Sequence, residues 1–407
     1  MQAATIDRIE ALFERHATDP YPMYRQLRAR GPVVVDADRK VVILSYRDAR
    51  AALTHPACSV DPRHRPATAG GPPGPAPDPD PDPSFIELDP PEHTRLRVLV
   101  SQAFAARAAR AGPRVQRVVD QCLDRLAPAG RCDAAQDFAY AIPIRVLCDL
   151  LGIVEADRQQ VQDWSYFVSR SMDPSNPVDP AEVTKVTADA CGYLDRLVAD
   201  RARKPGDDLA SALLGSREAG QRLTPVEVTS AVWLLLLSGH QTTSSLIASG
   251  LYHLLTEPAL RDRVRDRPAA LAALADELLR LAPLVPFLFR HARAELPLPC
   301  GFRASPGDQL VVLLAAANRD PEQFPDPDTI DLHRPGTAHL SFGAGVHYCL
   351  GATLGRMQAS VALATFLRRV VEPELAGDVS GHPRSLGGLT TLPITFRAIS
   401  PPAAERV

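Results

Sequence analysis

The sequence predicts a mainly α protein with minor β, and three observations carry that reading. From Pro91 to about Leu255 the apolar residues recur at helical spacing, with Pro, Gly or Asp breaks only near 112, 129, 173–180, 205 and 220. Strand-like runs are short and scattered: Val33–Val35 and Val41–Leu44 flank a polar Asp36–Lys40 turn as a hairpin, and Leu310–Leu314 and Leu392–Phe396 come late. The chain has 407 residues, 45% of them hydrophobic, enough for a large core. No internal repeat is found.

After the hairpin comes proline. The chain has 39 prolines, about twice the usual share. Many lie in Gly70–Pro77 and the Asp-Pro alternation through Pro83, which excludes helix and central strand. The residues before it, roughly 1–60, are too few for a domain of their own. A long loop at about 55–88 is therefore expected, of the kind that forms lids.

The next helix opens at Asp89-Pro90-Pro91-Glu92-His93-Thr94-Arg95-Leu96-Arg97, with Pro91 suited to a first turn and His93 and Arg97 on one face. The clearest helix begins at Thr224-Pro225-Val226-Glu227, where Thr224 caps and Glu227 completes a capping box. It runs to Glu257, roughly 48 Å. Ala231–Leu237 is apolar on every side, so this helix crosses the core. Its middle, Ser238-Gly239-His240-Gln241-Thr242-Thr243-Ser244-Ser245, is polar, which is costly in a core unless it lines a wet cavity. Hydroxyls bonded to the preceding turn would account for Thr and Ser, but not for Gly239, His240 and Gln241 in succession. A helix from Pro268 carries a Leu271, Leu274, Leu278, Leu281 stripe flanked by Glu277 and Arg280, three apart.

Near the C-terminus stands Phe342-Gly343-Ala344-Gly345-Val346-His347-Tyr348-Cys349-Leu350-Gly351, followed by residues with good helix propensity. That places the Cys349 sulfur at a helix N-terminus, where partial positive charge and free N–H groups favour a thiolate. Such a thiolate is a metal ligand or a nucleophile.

The F-G-x-G-x-H-x-C-x-G spacing resembles the haem-ligand loop of the cytochrome P-450 family, the haem-thiolate monooxygenases. The resemblance covers nearly the whole chain and implies one domain over 1–407, with haem b between the long central helix and the cysteine-loop helix. Cys349 would be the axial iron ligand, with Phe342 and Gly343 beside it. His93, Arg97, Arg290 and His347 would hold the propionates. Glu277, Arg280 and Arg334 would form a buried network bracing the cysteine loop. The polar centre resembles the family's oxygen-binding stretch: Gly239 would leave room for dioxygen, and Thr242 would hydrogen-bond it and a protonating water. Gln241 departs from the pattern, standing where the family usually carries a carboxylate. An amide relays a hydrogen bond but does not titrate.

By the same comparison the pocket would include Leu235, Ser238, Leu284, Val285, Phe287, Leu288, Phe289, Trp164 and Thr390, favouring a small apolar or aromatic substrate, with secondary metabolism the expected setting. No glycine fingerprint for flavin or nicotinamide is present. Electrons would come from an external iron–sulfur ferredoxin and its reductase, docking near Arg107, Arg110, Arg114 and Arg356. Three functions compete: hydroxylation or epoxidation with O2, oxidative coupling by the same oxidant, and a non-catalytic haem sensor or carrier. The polar helix centre argues against the last, because a carrier has no need of protons.

The net charge of -3 argues against nucleic acid or an anionic membrane as partner. Seven cysteines with no C-x-x-C pair give no support to structural zinc or a disulfide framework. The N-terminus lacks a signal-peptide core, and the longest strongly apolar run is too short to span a bilayer. A cytoplasmic protein is the expectation.

Overall fold

The central helix, Pro225–Thr256, organises the molecule. In the computed structural model, which describes residues 3–16, 19–64, 84–171, 178–334, 338–381 and 388–402, both halves of its predicted capping box are present. Thr224 Oγ1 accepts from Glu227 N at 3.2 Å, and Thr224 N donates to Glu227 Oε2 at 2.8 Å. Helices Ala141–Leu151, Pro180–Arg203 and Ala352–Arg369 pack round it, as does a π-helical segment, Ala134–Tyr140. Its apolar residues Val232, Leu236, Ile247 and Leu251 are fully buried in the largest hydrophobic cluster. Among the described residues no helix is long and apolar enough to cross a membrane.

The β part is more connected than the sequence suggests. The hairpin forms as Val33–Asp36 and Val41–Ile43, with Val34 opposite Val42. It belongs to a six-stranded sheet in the order Ala4–Ile6, Val33–Asp36, Val41–Ile43, Gln309–Val312, Leu288–Ala292, Cys58–Ser59. The strand predicted over Leu310–Leu314 spans Gln309–Val312 and then turns into a short helix. Leu288–Ala292 and Cys58–Ser59 give no local signal strong enough to be read, since long-range pairing makes them strands. One sheet face packs Val33, Ile43, Leu310 and Val312, and the other packs Val34, Val42 and Val311 under the N-terminal helices.

The expected lid loop falls partly on residues 65–83, which lie outside the described residues. Its described ends are ordered: Cys58–Ser59 is a strand, and Pro62–His64 and Phe85–Glu87 are single 3-10 turns.

Candidate active site

The central helix supplies one wall. Leu234, Gln241, Thr242 and Ser245 are half-buried and Ser238 is exposed, on a helix otherwise largely buried along its middle. Their spacing is one helical stripe. Ser238 Oγ donates to Leu234 O at 2.6 Å and Thr242 Oγ1 to Ser238 O at 2.9 Å, which leaves their lone pairs free to accept. His240 points elsewhere. It is 1% exposed, its ring lies 4.1 Å from that of Tyr140, and Nδ1 is 3.4 Å from Ser165 Oγ. Burial drives its pKa down to about 4, so it is neutral at ordinary pH.

The cysteine loop is the second part of the candidate site. Cys349 N donates to Phe342 O at 2.8 Å and Gly343 N to Leu340 O at 2.8 Å. Gly343 and Gly345 both have φ of +70°, and a Cβ on Gly345 would stand 2.6 Å from Leu53 O, so the tight approach to helix Tyr46–Thr54 needs glycine. Cys349 is exposed, three residues before the helix Ala352–Arg369. Burial pushes its thiol up. The Gly351 and Ala352 amides and the charges of Arg97 and Arg356 pull the other way without overcoming it.

Four basic side chains, Arg97 near the sulfur and His93, His347 and Arg290 near one another, gather beyond the loop. His93 is 2% exposed with no partner on either ring nitrogen, and its ring lies 4.3 Å from that of His347, whose Nε2 is also unpartnered. Burial, aided by His93, Arg290 and Arg97, lowers His347 to about 4. Burial likewise lowers both guanidiniums, Arg97 and Arg290. They donate to the Tyr348 and Phe289 carbonyls respectively. Unpartnered buried donors beside two cations form a host for carboxylates.

Behind the loop Arg280 Nε and Nη2 meet Glu277 Oε1 and Oε2 at 2.7 and 2.9 Å, and Arg334 Nε reaches Glu277 Oε1 at 3.1 Å. Burial alone would raise the Glu277 carboxyl, but Arg280, the Asp331 amide and Arg334 together hold it below its ordinary value. The expected three-residue network is assembled.

The chain is 38% identical over 403 residues to the cytochrome P450 monooxygenase PikC of Streptomyces venezuelae, an alignment covering 95% of this chain and 93% of that one. This chain belongs to the cytochrome P450 family. A sequence model of that family, Cytochrome P450, matches residues 181–267 and 270–374. The mycinamicin IV hydroxylase/epoxidase of Micromonospora griseorubida is 36% identical over 341 residues, 81% of each chain. The solved structure of cytochrome P450 CYP109Q5 from Chondromyces apiculatus superposes with a TM-score of 0.84 at 28% identity, covering 98% of this chain and 100% of that one. The chain is thus a P450 monooxygenase, and the family holds haem through a cysteine thiolate. The residues present fit that group: Cys349 is a free, exposed thiol, and the imidazoles of His93 and His347, with unpartnered buried ring nitrogens, stand with Arg97 and Arg290 as a host for its two carboxylates.

Several pocket expectations for this P450 need correction. Phe287 and Phe289 lie against the opposite sheet face from Leu288. Phe287 stacks on Phe13 at 4.6 Å and touches Phe289 at 5.2 Å, both packed against the N-terminal layer. Strand alternation is the reason: Leu288 and Arg290 share one face, and the phenylalanines take the other. Trp164 sits between helices, 5.8 Å from Tyr193 of Pro180–Arg203, and it is Ser165 that meets the central helix. Leu235 is 6% exposed in the core cluster, so Leu234 continues the open stripe. Gly239 is half-buried, and a Cβ there would approach Leu147 Cδ1 at 3.2 Å. Thr390 is exposed, and its carbonyl accepts from Gln136 Nε2 at 2.7 Å. Val285 is 42% exposed, and Leu284 lies beside Gly388.

Two relationships escaped the sequence. Asp276 accepts from Arg356 Nε at 2.6 Å, and Arg356 lies over the Phe342 ring at 4.5 Å, buttressing the cysteine loop. Arg356 is therefore engaged rather than free for a partner. Asp89 lies close behind the cradle. In sequence Asp276 looks like an ordinary mid-helix acid and Asp89 like one that precedes a helix.

Proposed function

We propose that Cys349 is the axial thiolate of haem b, with His93, Arg97, Arg290 and His347 on its propionates, and that the protein inserts oxygen into a small, largely apolar organic molecule. The observation that carries this reading is the pairing of Cys349, backed by two helix-N-terminal amides, with a cradle of orphaned basic groups beside it. Metal binding takes a thiol as its thiolate, so the upward push on Cys349 is overcome when iron binds. Bound haem supplies the activation of dioxygen. The protein's part is to place Ser238, Gln241, Thr242 and Ser245 along the reacting face, where hydroxyl and amide oxygens hold water and orient substrate.

Hydroxylation or epoxidation is favoured over coupling because relatives carry those activities in their names, the mycinamicin IV hydroxylase/epoxidase among them. Leu234, Leu284, Leu288 and Val285 suit an apolar substrate, with the hydroxyl stripe meeting its polar atoms. Electrons come from a separate ferredoxin and its reductase, docking on the cysteine side. Arg110 is exposed, and among the described residues Arg107 meets the exposed Asp207 at 3.4 Å. The test has two parts. Candidate substrates are screened for a Soret shift, and the products of positives are analysed by mass. Turnover is then measured with and without ferredoxin and reductase. Sustained turnover from NADPH and this protein alone would contradict the electron route.

A further inference from the structure

Helix Pro268–Leu281 carries two neighbouring carboxylates that face different partners. Glu277 holds Arg280 and Arg334. Asp276 turns to the cysteine loop: its Oδ1 accepts from Arg356 Nε at 2.6 Å and lies 3.3 Å from His339 Nε2. The residues after His339 are fixed by bonds of their own. Leu340 N donates to Asn318 Oδ1 at 2.6 Å, and Ser341 Oγ to Leu279 O at 2.7 Å. The loop is therefore fastened without the Asp276–Arg356 pair, which leaves the pair open to a second role.

The position of Arg356 identifies that role. Its guanidinium lies over the Phe342 ring at 4.5 Å and reaches the Tyr348 side chain, while Phe342 O takes the Cys349 amide at 2.8 Å. The charge of Arg356 acts on Cys349, as does that of Arg97. Asp276 takes Nε, whereas Nη2 is buried with no partner, so the carboxylate offsets the cation only in part. The two side chains are 23% and 21% exposed, too enclosed for water to screen them fully and open enough to tolerate a neutral replacement. A metal that takes up one electron adds a negative charge beside its ligand. A nearby cation favours that step and a nearby anion opposes it. Charge and hydrogen bonding behind a ligating sulfur are general levers on reduction potential.

We propose that Asp276 and Arg356 form a paired charge regulator behind Cys349: Arg356 makes the bound iron readier to accept an electron, and Asp276 holds that effect in check. The inference rests on the reading that Cys349 ligates haem iron. Both residues act through Cys349 and neither is a catalytic residue.

The test is the midpoint potential of the holoprotein, titrated with dithionite and mediators at one pH, with the ferrous carbon monoxide spectrum of each variant recorded alongside. Asp276→Asn keeps an oxygen for Arg356 Nε but removes the charge, and the potential should rise. Arg356→Gln should lower it, and the double variant should return close to the wild type. A pair that served only as a brace would shift all three variants the same way or leave all three unchanged, and either result would overturn the inference. If Asp276→Asn does not hold haem, Arg356→Lys against Arg356→Gln decides: the lysine variant keeps the charge and should stay near the wild type, while the glutamine variant falls below it. Equal shifts in those two would overturn the inference. A wild type without the red-shifted Soret band of thiolate ligation would instead overturn the reading beneath it.

Discussion

Arg280 and Glu277, one turn apart on the same helix, meet at two points, and every N–H of the guanidinium is used. Nε and Nη2 bond the carboxylate, and the remaining N–H groups go to the carbonyls of Asn318, Pro327 and Thr329 at 3.1, 2.6 and 2.9 Å. Arg280 is 1% exposed and Glu277 4%. On a helix surface such a pair contributes only tenths of a kcal/mol. Here it ties the helix Pro268–Leu281 to the chain that leads into the cysteine loop.

Removing one member strands a buried charge, at a cost of about 3–5 kcal/mol. Glu277→Ala and Arg280→Ala should give poorly folded, haem-deficient protein. Arg334→Ala should do the same more mildly, because its side chain is 11% exposed. Haem content per chain and the cooperativity of urea unfolding check this. Near-normal haem in Arg280→Ala would show that the network does not support the site.

Substitutions at Thr242 and Gln241 test the proposed roles of the stripe in oxygen activation and proton supply. Thr242→Ala deletes the hydroxyl that donates to Ser238 O, and should divert much of the oxygen consumed into peroxide. Gln241→Glu restores a titratable group on the stripe, and should be tolerated while lowering the solvent isotope effect on turnover. Peroxide yield and the rate in heavy water, measured with the true substrate, decide. If Gln241→Glu abolishes product while Thr242→Ala is harmless, Gln241 positions substrate instead.

His240 gives a pH signature of its own. Its folded pKa is lowered from 6.5 to about 4 by burial, so the unfolded chain takes up a proton where the folded chain does not. This contribution is fully present above pH 6.5 and is lost as pH falls toward about 4, by roughly 1.4 kcal/mol per unit within that window. Denaturation midpoints across this range should show a shallower slope in His240→Phe. An unchanged slope would mean that water reaches the imidazole in the folded protein.

The central helix, its capping box, the hairpin, the E-x-x-R pair and the cysteine loop were all legible in the sequence, because each is set by local spacing. What was not legible depends on which face a side chain takes after long-range pairing. Phe287 and Phe289 read as pocket residues until the strand Leu288–Ala292 is paired with Gln309–Val312, and that alternation sends them to Phe13. Trp164 is a similar case, set by its neighbour Tyr193, which no local pattern names.

The Phe287 placement is itself testable. Phe287→Ala removes a stacked ring from the N-terminal layer and should cost about 3 kcal/mol or less of stability, since the ring is only partly buried. Substrate affinity, read from the Soret titration, should stay within about twofold. A large loss of affinity with unchanged stability would return Phe287 to the pocket.

The central claim is that Cys349 ligates haem iron from within its cradle, and the spectrum of the ferrous carbon monoxide complex tests it most directly. Freshly purified, folded protein should show the strongly red-shifted Soret band of thiolate ligation, and Cys349→His should lose it. A band of the histidine-ligated kind in the folded wild type, or an unchanged red-shifted band in Cys349→His, would contradict the account.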